Sequence, residues 1–293
     1  MLKTNQEQLI DLAVSGCISH PTVVKTARTA YDGSAYVPVG HTGIAFNLKV
    51  GDPAFGWAAG DHAEPGVSVE NCCGDANVAL CTYACVGNEA TIIRAEMEGK
   101  DAKLKSATGT VTGKHDGRLL VYFPKRVIDR LCIGDTVQVR ASGVGLKLLD
   151  YPHIAMMNCG GQLLRALNLS EKSGKVRVPV AKVVPGKLIG SGLGTATSHA
   201  GDYDIQSTSA ETVKEGSLDQ LRLGDLVAIT DHDCTHGPRW QPEAVTVGVI
   251  VHGSSPRAGH GPGVTPLMTS AKRDAIEPII TRKANLVDLL GLV

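Results

Sequence analysis

Glycine and proline set the strongest limit on what this chain can fold into. With 34 glycines and 14 prolines spread through 293 residues, few stretches are long enough for an extended helix, and the apolar runs between the breaks are short and rich in Val, Ile and Thr. The best-marked of these breaks is Asp116-Gly117. It separates two strand-like runs, Thr108 to Lys114 and Arg118 to Phe123, and Asp-Gly suits a tight hairpin turn with two positive φ angles.

The same pattern continues on both sides of the hairpin. Pro124 opens a short helix over Lys125 to Leu131, and Gly134-Asp135 then launches a strand, Thr136 to Arg140. A related turn, Arg222-Leu223-Gly224-Asp225, launches Leu226 to Thr230. Two such turns point to barrel construction. Gln162 to Asn168 reads as a short helix, Lys175 to Val184 as a strand pair, and Val245 to Val251 as a strong β-branched strand. Leu286 to Leu290 reads as a closing apolar helix with a face for a partner subunit. At the N-terminus, Thr4-Asn5-Gln6-Glu7 has capping-box spacing ahead of Leu9, Ile10 and Leu12, which predicts a helix ending near Gly16. The expected class is β-rich α+β, with barrel-like β domains and a few short helices. A boundary is expected near Gly145 to Pro152, giving residues 1–148 as an N-terminal β-rich domain with its helix and 149–293 as a C-terminal one.

Composition narrows the function classes. Lys plus Arg equals Asp plus Glu at 29 each, and no basic block interleaves with aromatics, so nothing supplies the field that nucleic-acid binding needs. Zero net charge is compatible with a homo-oligomer that covers part of its surface. The first residues lack a secretory pattern and no apolar run approaches a membrane span, so the chain reads as cytoplasmic, with no membrane partner. Eight cysteines in a chain this long suggest reduced thiols. Cys72, Cys73, Cys81 and Cys85 lack zinc-site spacing and read as buried thiols.

Five polar clusters carry the candidate chemistry. Asp61, His62 and Glu64 share a glycine-bounded loop. Asp202 and Asp204 fall on one face of an extended segment, with Tyr203 on the other, as a hard cation would need. Asp231, His232 and Asp233 end a strand, which would put the two carboxylates on one side and the imidazole on the other, with Cys234 and His236 close behind. His252 ends another strand. His260 projects from Gly259-His260-Gly261-Pro262-Gly263-Val264-Thr265, whose backbone N–H groups suit an anion. That loop lacks a phosphate-loop lysine, no Gly-x-Ser-x-Gly elbow occurs, and Gly190 to Gly194 reads as a tight turn.

Taken together, Gly60-Asp61-His62, Glu64-Pro65-Gly66-Val67-Ser68, Gly201-Asp202-Tyr203-Asp204-Ile205-Gln206, Asp231-His232-Asp233 and His252 with Gly259 to Val264 resemble a bacterial family catalogued only as a domain of unknown function. The resemblance runs from about Cys17 to the C-terminus and supplies no reaction. By analogy alone, polar loops at strand ends are similar to those of metal-dependent amidases.

Three readings follow. In the first, the protein is a metal-dependent hydrolase of a small amide or other C–N bond. Its metal ligands come from Asp61, His62, Asp231, Asp233, His252 and His260, its catalytic groups from Asp231, His232, Asp233 and His260, and its ion is zinc, manganese or magnesium. In the second, it is a non-catalytic binder of a small anionic ligand, held by Gly259, Gly261, Gly263, Thr265, Asp202 and Asp204. In the third, the same loops stabilise an oligomer.

Overall fold

The computed structural model describes residues 2–23, 25–94, 104, 106–195 and 198–292. The β-rich class holds. Six strands close a barrel in the order Leu12–Ile18, Val67–Glu70, Arg118–Tyr122, Thr108–His115, Glu89–Arg94, Thr136–Ala141, and the last pairs back with the first. The helices among the described residues are short, the longest being Gly74–Tyr83. None is long and apolar enough to cross a membrane.

The Asp116-Gly117 hairpin forms as expected. Asp116 (φ 43°) and Gly117 (φ 75°) take the two positive angles that match the twist of the flanking strands. The Gly-Asp turns also share one structure. Asp135 accepts the Cys132 N–H at 2.8 Å, and Asp225 accepts the Arg222 N–H at 2.8 Å, each beside a glycine of positive φ. The first feeds the barrel. The second feeds a separate open sheet.

That open sheet runs Lys182–Pro185, Leu226–Asp233, Arg239–His252, Gly263–Ser270, Tyr203–Asp204. A third sheet joins Ser170–Lys172, Lys175–Val180 and Ile276–Ile280. Lys175–Val180 and Lys182–Pro185 are therefore not partners of each other. Each pairs in parallel with a strand distant in sequence.

The N-terminal helix does not form. A single 3₁₀ turn, Gln6–Gln8, gives way to the barrel strand Leu12–Ile18. Val14, Gly16 and Ile18 are buried at a period of two, so barrel closure overrides the local helical spacing. Asn5 makes no cap; its side chain instead bridges the Gly145 carbonyl and the Lys147 N–H. The C-terminal helix Leu286–Leu290 forms, capped by Asn285 and ended by Gly291 at φ 63°. Leu286 packs into the protein's own core rather than offering its face outward. Of the four cysteines expected to be buried thiols, Cys81 and Cys85 are buried, while Cys72 and Cys73 are exposed.

Barrel and sheet meet along one seam. Leu120 from the barrel and Val247, Val251 and Leu267 from the sheet share one buried cluster, and each such side chain is worth roughly 1.5–3 kcal/mol of burial. Contact is close enough that a Cβ at Gly113 would lie 2.2 Å from Val251 Cγ1. Thr265 Oγ1 both accepts from the Lys114 N–H and donates to its carbonyl, at 3.1 Å each. Residues at the ends of barrel and sheet strands are thus fixed relative to one another.

Candidate metal centre

At one end of this seam, histidines and acids from six separate segments converge. His115 ends its barrel strand one residue before the hairpin turn, and His252 ends the long sheet strand. Their ring centroids are 4.2 Å apart. The loop before Val67–Glu70 supplies Asp61, His62 and Glu64. His62 has φ 66°, a left-handed conformation rare for a residue with a side chain, and its ring lies 4.9 Å from those of both His252 and His260. Along Tyr203–Asp204 the chain alternates as expected. Asp202 and Asp204 face the histidines, while Tyr203 turns the other way onto His232 at 4.7 Å.

The imidazoles are held in a consistent way. His62 donates from Nδ1 to Asp61 Oδ1 at 2.7 Å, His115 from Nδ1 to Glu64 Oε1 at 2.6 Å, and His252 from Nδ1 to the Gly253 carbonyl at 2.9 Å. In each ring Nε2 is the nitrogen left for another partner. This is how metal-binding imidazoles are commonly oriented, with the outer N–H given to a carboxylate or carbonyl. The orienting acids are themselves anchored. Asp61 accepts from Arg28, Tyr36 and Ser255, and Glu64 from Ser68 and Thr42.

Two sets of donor atoms face inward, each lying within 4.8 Å of one another: His62, Asp204 and His260, and His115, Asp202 and His252. Asp204 Oδ2 is 3.2 Å from His62 Nε2 and 2.9 Å from His260 Nδ1. Asp202 Oδ2 is 2.8 Å from His252 Nε2. A third set, His41, Glu64 and His115, is also this close. There, however, Glu64 already holds His115, and His41 is shared between Thr22 and Asp116. These mixed imidazole and carboxylate groups could hold a metal ion, and their chemistry fits a borderline transition metal better than an all-oxygen cation site.

Within the cluster the acids and imidazoles shift one another. Burial pushes the Asp204 carboxyl up, but hydrogen bonds from His252, His260 and His62 outweigh it and hold Asp204 well below the ordinary range. Burial lowers His252, yet Asp202 and Asp204 raise it well above an ordinary histidine. His62 is likewise raised, since Asp204 and Asp61 overcome its desolvation. Over the cluster opens a cavity of about 400 Å³, whose wall includes Arg28, His41, Asp116 and Arg257.

The other expected residues lie elsewhere. Asp231 sits at φ 54° where the strand register shifts, and its carboxylate accepts the Glu243 N–H. That bulge breaks the alternation expected for Asp231, His232 and Asp233. Asp233 is buried and accepts from Thr235, Arg239 and Thr269. His232 packs under Tyr203 and meets Thr246 at 3.1 Å, with burial lowering it to about 4. Thr265 clamps sheet to barrel and does not face the cavity. Asp61 orients His62, and its two oxygens are both taken.

Gly261 and Gly263 of the His260 loop serve close packing, while Gly259 takes a positive φ of 77°. A Cβ at Gly261 would meet the Ile205 carbonyl at 1.9 Å, and one at Gly263 would lie 2.0 Å from His252 Nε2 and 2.3 Å from Asp202 Oδ2. The Gly259 carbonyl accepts the Ser191 N–H. Sequence reasoning missed His41 and His115 as site members. For His115 the visible signal was a histidine at a strand end beside the Asp116-Gly117 turn.

Comparison with known proteins places the chain. A stretch is 27% identical over 159 residues to the nickel and cobalt resistance protein CnrB of Cupriavidus metallidurans, covering 52% of this chain and 40% of that protein. The chain thus spans well under half the length of that curated relative. The crystal structure of TM1086 is similar over 100% of this chain and 99% of its own, with 38% sequence identity and a TM-score of 0.91. Residues 27–165 match the domain of unknown function DUF4438, N-terminal, and residues 166–290 match its C-terminal counterpart. On these matches, which together run through nearly the whole sequence, the chain belongs to the DUF4438 family.

Proposed function

We propose that the protein is a metal-dependent hydrolase of a small amide or other C–N bond. The observation that carries this reading is the convergence of His62, Asp204 and His260 on the floor of an open cavity of about 400 Å³, a size suited to a small substrate. A divalent ion held there would supply Lewis acidity and a water of lowered pKa. The chain's own groups supply the rest. Arg257 stands on the cavity wall, placed to hold an anionic group of the substrate. His41, held between Thr22 and Asp116, lines the same cavity and is the candidate general base.

The test is turnover of a panel of small amides and lactams by metal-stripped protein reloaded with zinc, manganese or magnesium. Metal-restored turnover that disappears in Asp204→Asn supports the reading. Fully loaded protein that turns over no member of the panel with any ion contradicts it.

A second reading, that the protein binds metal without catalysis, is favoured by the stretch shared with a nickel and cobalt resistance protein. It predicts tight nickel or cobalt binding that small amides neither compete with nor are consumed by.

A further inference from the structure

We infer that the centre is built for two ions, bridged by Asp204. This rests on the reading that the cluster binds metal and goes beyond it in the number of ions, in the role of one residue, and in the substrate class. The two inward-facing donor sets, His62/Asp204/His260 and His115/Asp202/His252, have no residue in common. Six donors are more than a four-coordinate ion takes, and six-coordination with four imidazoles would leave no place for substrate.

Asp204 links the two sets. Its Oδ2 lies against His62 Nε2 and His260 Nδ1 at 3.2 and 2.9 Å, while its Oδ1 lies 3.4 Å from His252 Nε2, in the other set. A carboxylate with one oxygen turned to each set is the natural bridge between two ions about 3.5–4 Å apart. The ring spacing agrees, since His252 sits 4.9 Å from His62 and 4.2 Å from His115 between centroids.

The supporting residues divide along the same line. Asp61 orients His62, one of the two imidazoles of the first set, while Glu64 and the Gly253 carbonyl orient the two of the second. The second set also depends on Gly263. Any side chain there would occupy the space of His252 Nε2 and Asp202 Oδ2, so the bare backbone is what lets that pair form. The set His41/Glu64/His115 is not a third ion site, because both nitrogens of His41 and the oxygens of Glu64 already have protein partners. It acts as the support behind His115.

Asp202 and Asp204 offset half of the charge of two divalent ions, Asp61 and Glu64 behind the imidazoles offset the rest, and Arg257 on the cavity wall adds a positive charge. The substrate class this fits is a small C–N compound bearing a carboxylate or another oxyanion.

The ion count is read by titrating manganese and, separately, zinc into metal-stripped full-length protein, with metal content measured after desalting. Manganese-loaded samples are also examined by electron paramagnetic resonance. The expected result is two ions per chain and a spin-coupled manganese pair, with His115→Ala and His260→Ala each retaining one ion and an uncoupled signal. One ion per chain and an uncoupled signal in the unmodified protein would overturn the two-ion inference while leaving the metal-site reading intact. No retained ion of either kind would overturn both. The spectrum of the unmodified protein decides the question even where a variant fails to fold.

Discussion

Two histidine–aspartate clusters in this protein are built from the same residue types and are arranged differently. In the centre at the seam, His62, His115 and His252 spend one nitrogen on a fixed acceptor and leave the other for a cavity-facing group. Around Asp233, in the neighbouring sheet, the carboxylate is used up by Thr235, Arg239 and Thr269, and His232 meets Thr246 beneath a tyrosine ring. The difference lies in where the second polar atom points. A buried polar group whose partners are all protein groups is structure, whereas one whose partners are like donors around an opening is a binding site.

The largest expected contrast is between Asp204→Ala and Asp233→Ala. The first removes the carboxylate of one donor set, whose other oxygen reaches His252 of the second, and metal retention should fall by more than the roughly 10–100-fold that loss of an orienting partner causes. The second should keep its metal but lose about 2–3 kcal/mol of stability as its buried partners go unsatisfied. Metal analysis and urea denaturation on the same two proteins read both effects, and equal metal loss in both would erase the contrast.

Asp61→Asn comes next. Its oxygens orient His62 and are held by Arg28, Tyr36 and Ser255, so metal affinity should fall about 10–100-fold with the ligands all still present. Calorimetric titration measures this directly. An unchanged dissociation constant would mean that His62 needs no orienting.

pH gives a smaller, graded effect. In the metal-free protein His252 and His62 are raised above their ordinary range, so their contribution to stability is full at acid pH and is lost as pH rises through those raised values. Asp204, held low, contributes above the carboxylate range and loses this as pH falls. Metal must displace the histidine protons, so metal-dependent thermal stabilisation should grow between about pH 6 and about pH 8. Thermal melts with and without zinc check this, and a shift that shrinks with pH would count against imidazole ligation.

The smallest effect belongs to His232→Leu. Its Nε2 is buried without a hydrogen-bond partner among the described residues, so an apolar replacement should change stability by no more than about 1 kcal/mol and leave metal content unchanged.

Much of this was legible in the sequence where local rules decide the outcome. The Asp-Gly hairpin, the Gly-Asp turns and the alternation of Asp202, Tyr203 and Asp204 depend on neighbours in the chain, and each forms as expected. The rest depends on distant partners. The segment expected as a helix ending near Gly16 instead forms the strand Leu12–Ile18, because Thr136–Ala141 needs a neighbour to close the barrel. His115 joins the site only because Glu64, 51 residues earlier, holds its Nδ1. The positive φ at Asp231 that takes Asp231, His232 and Asp233 out of alternation has no glycine to announce it. Motif density marked both histidine–aspartate clusters alike, and only the direction of the second polar atom separated them.

Anomalous X-ray diffraction from zinc-loaded crystals, collected on both sides of the zinc edge, decides whether His62, His115, His252, His260, Asp202 and Asp204 bind metal. The expected result is anomalous density between Asp204 and the imidazoles of His62 and His260, with a second peak between Asp202, His115 and His252. Zinc density confined to the surface, with Asp204 still paired directly to the histidines, would contradict it.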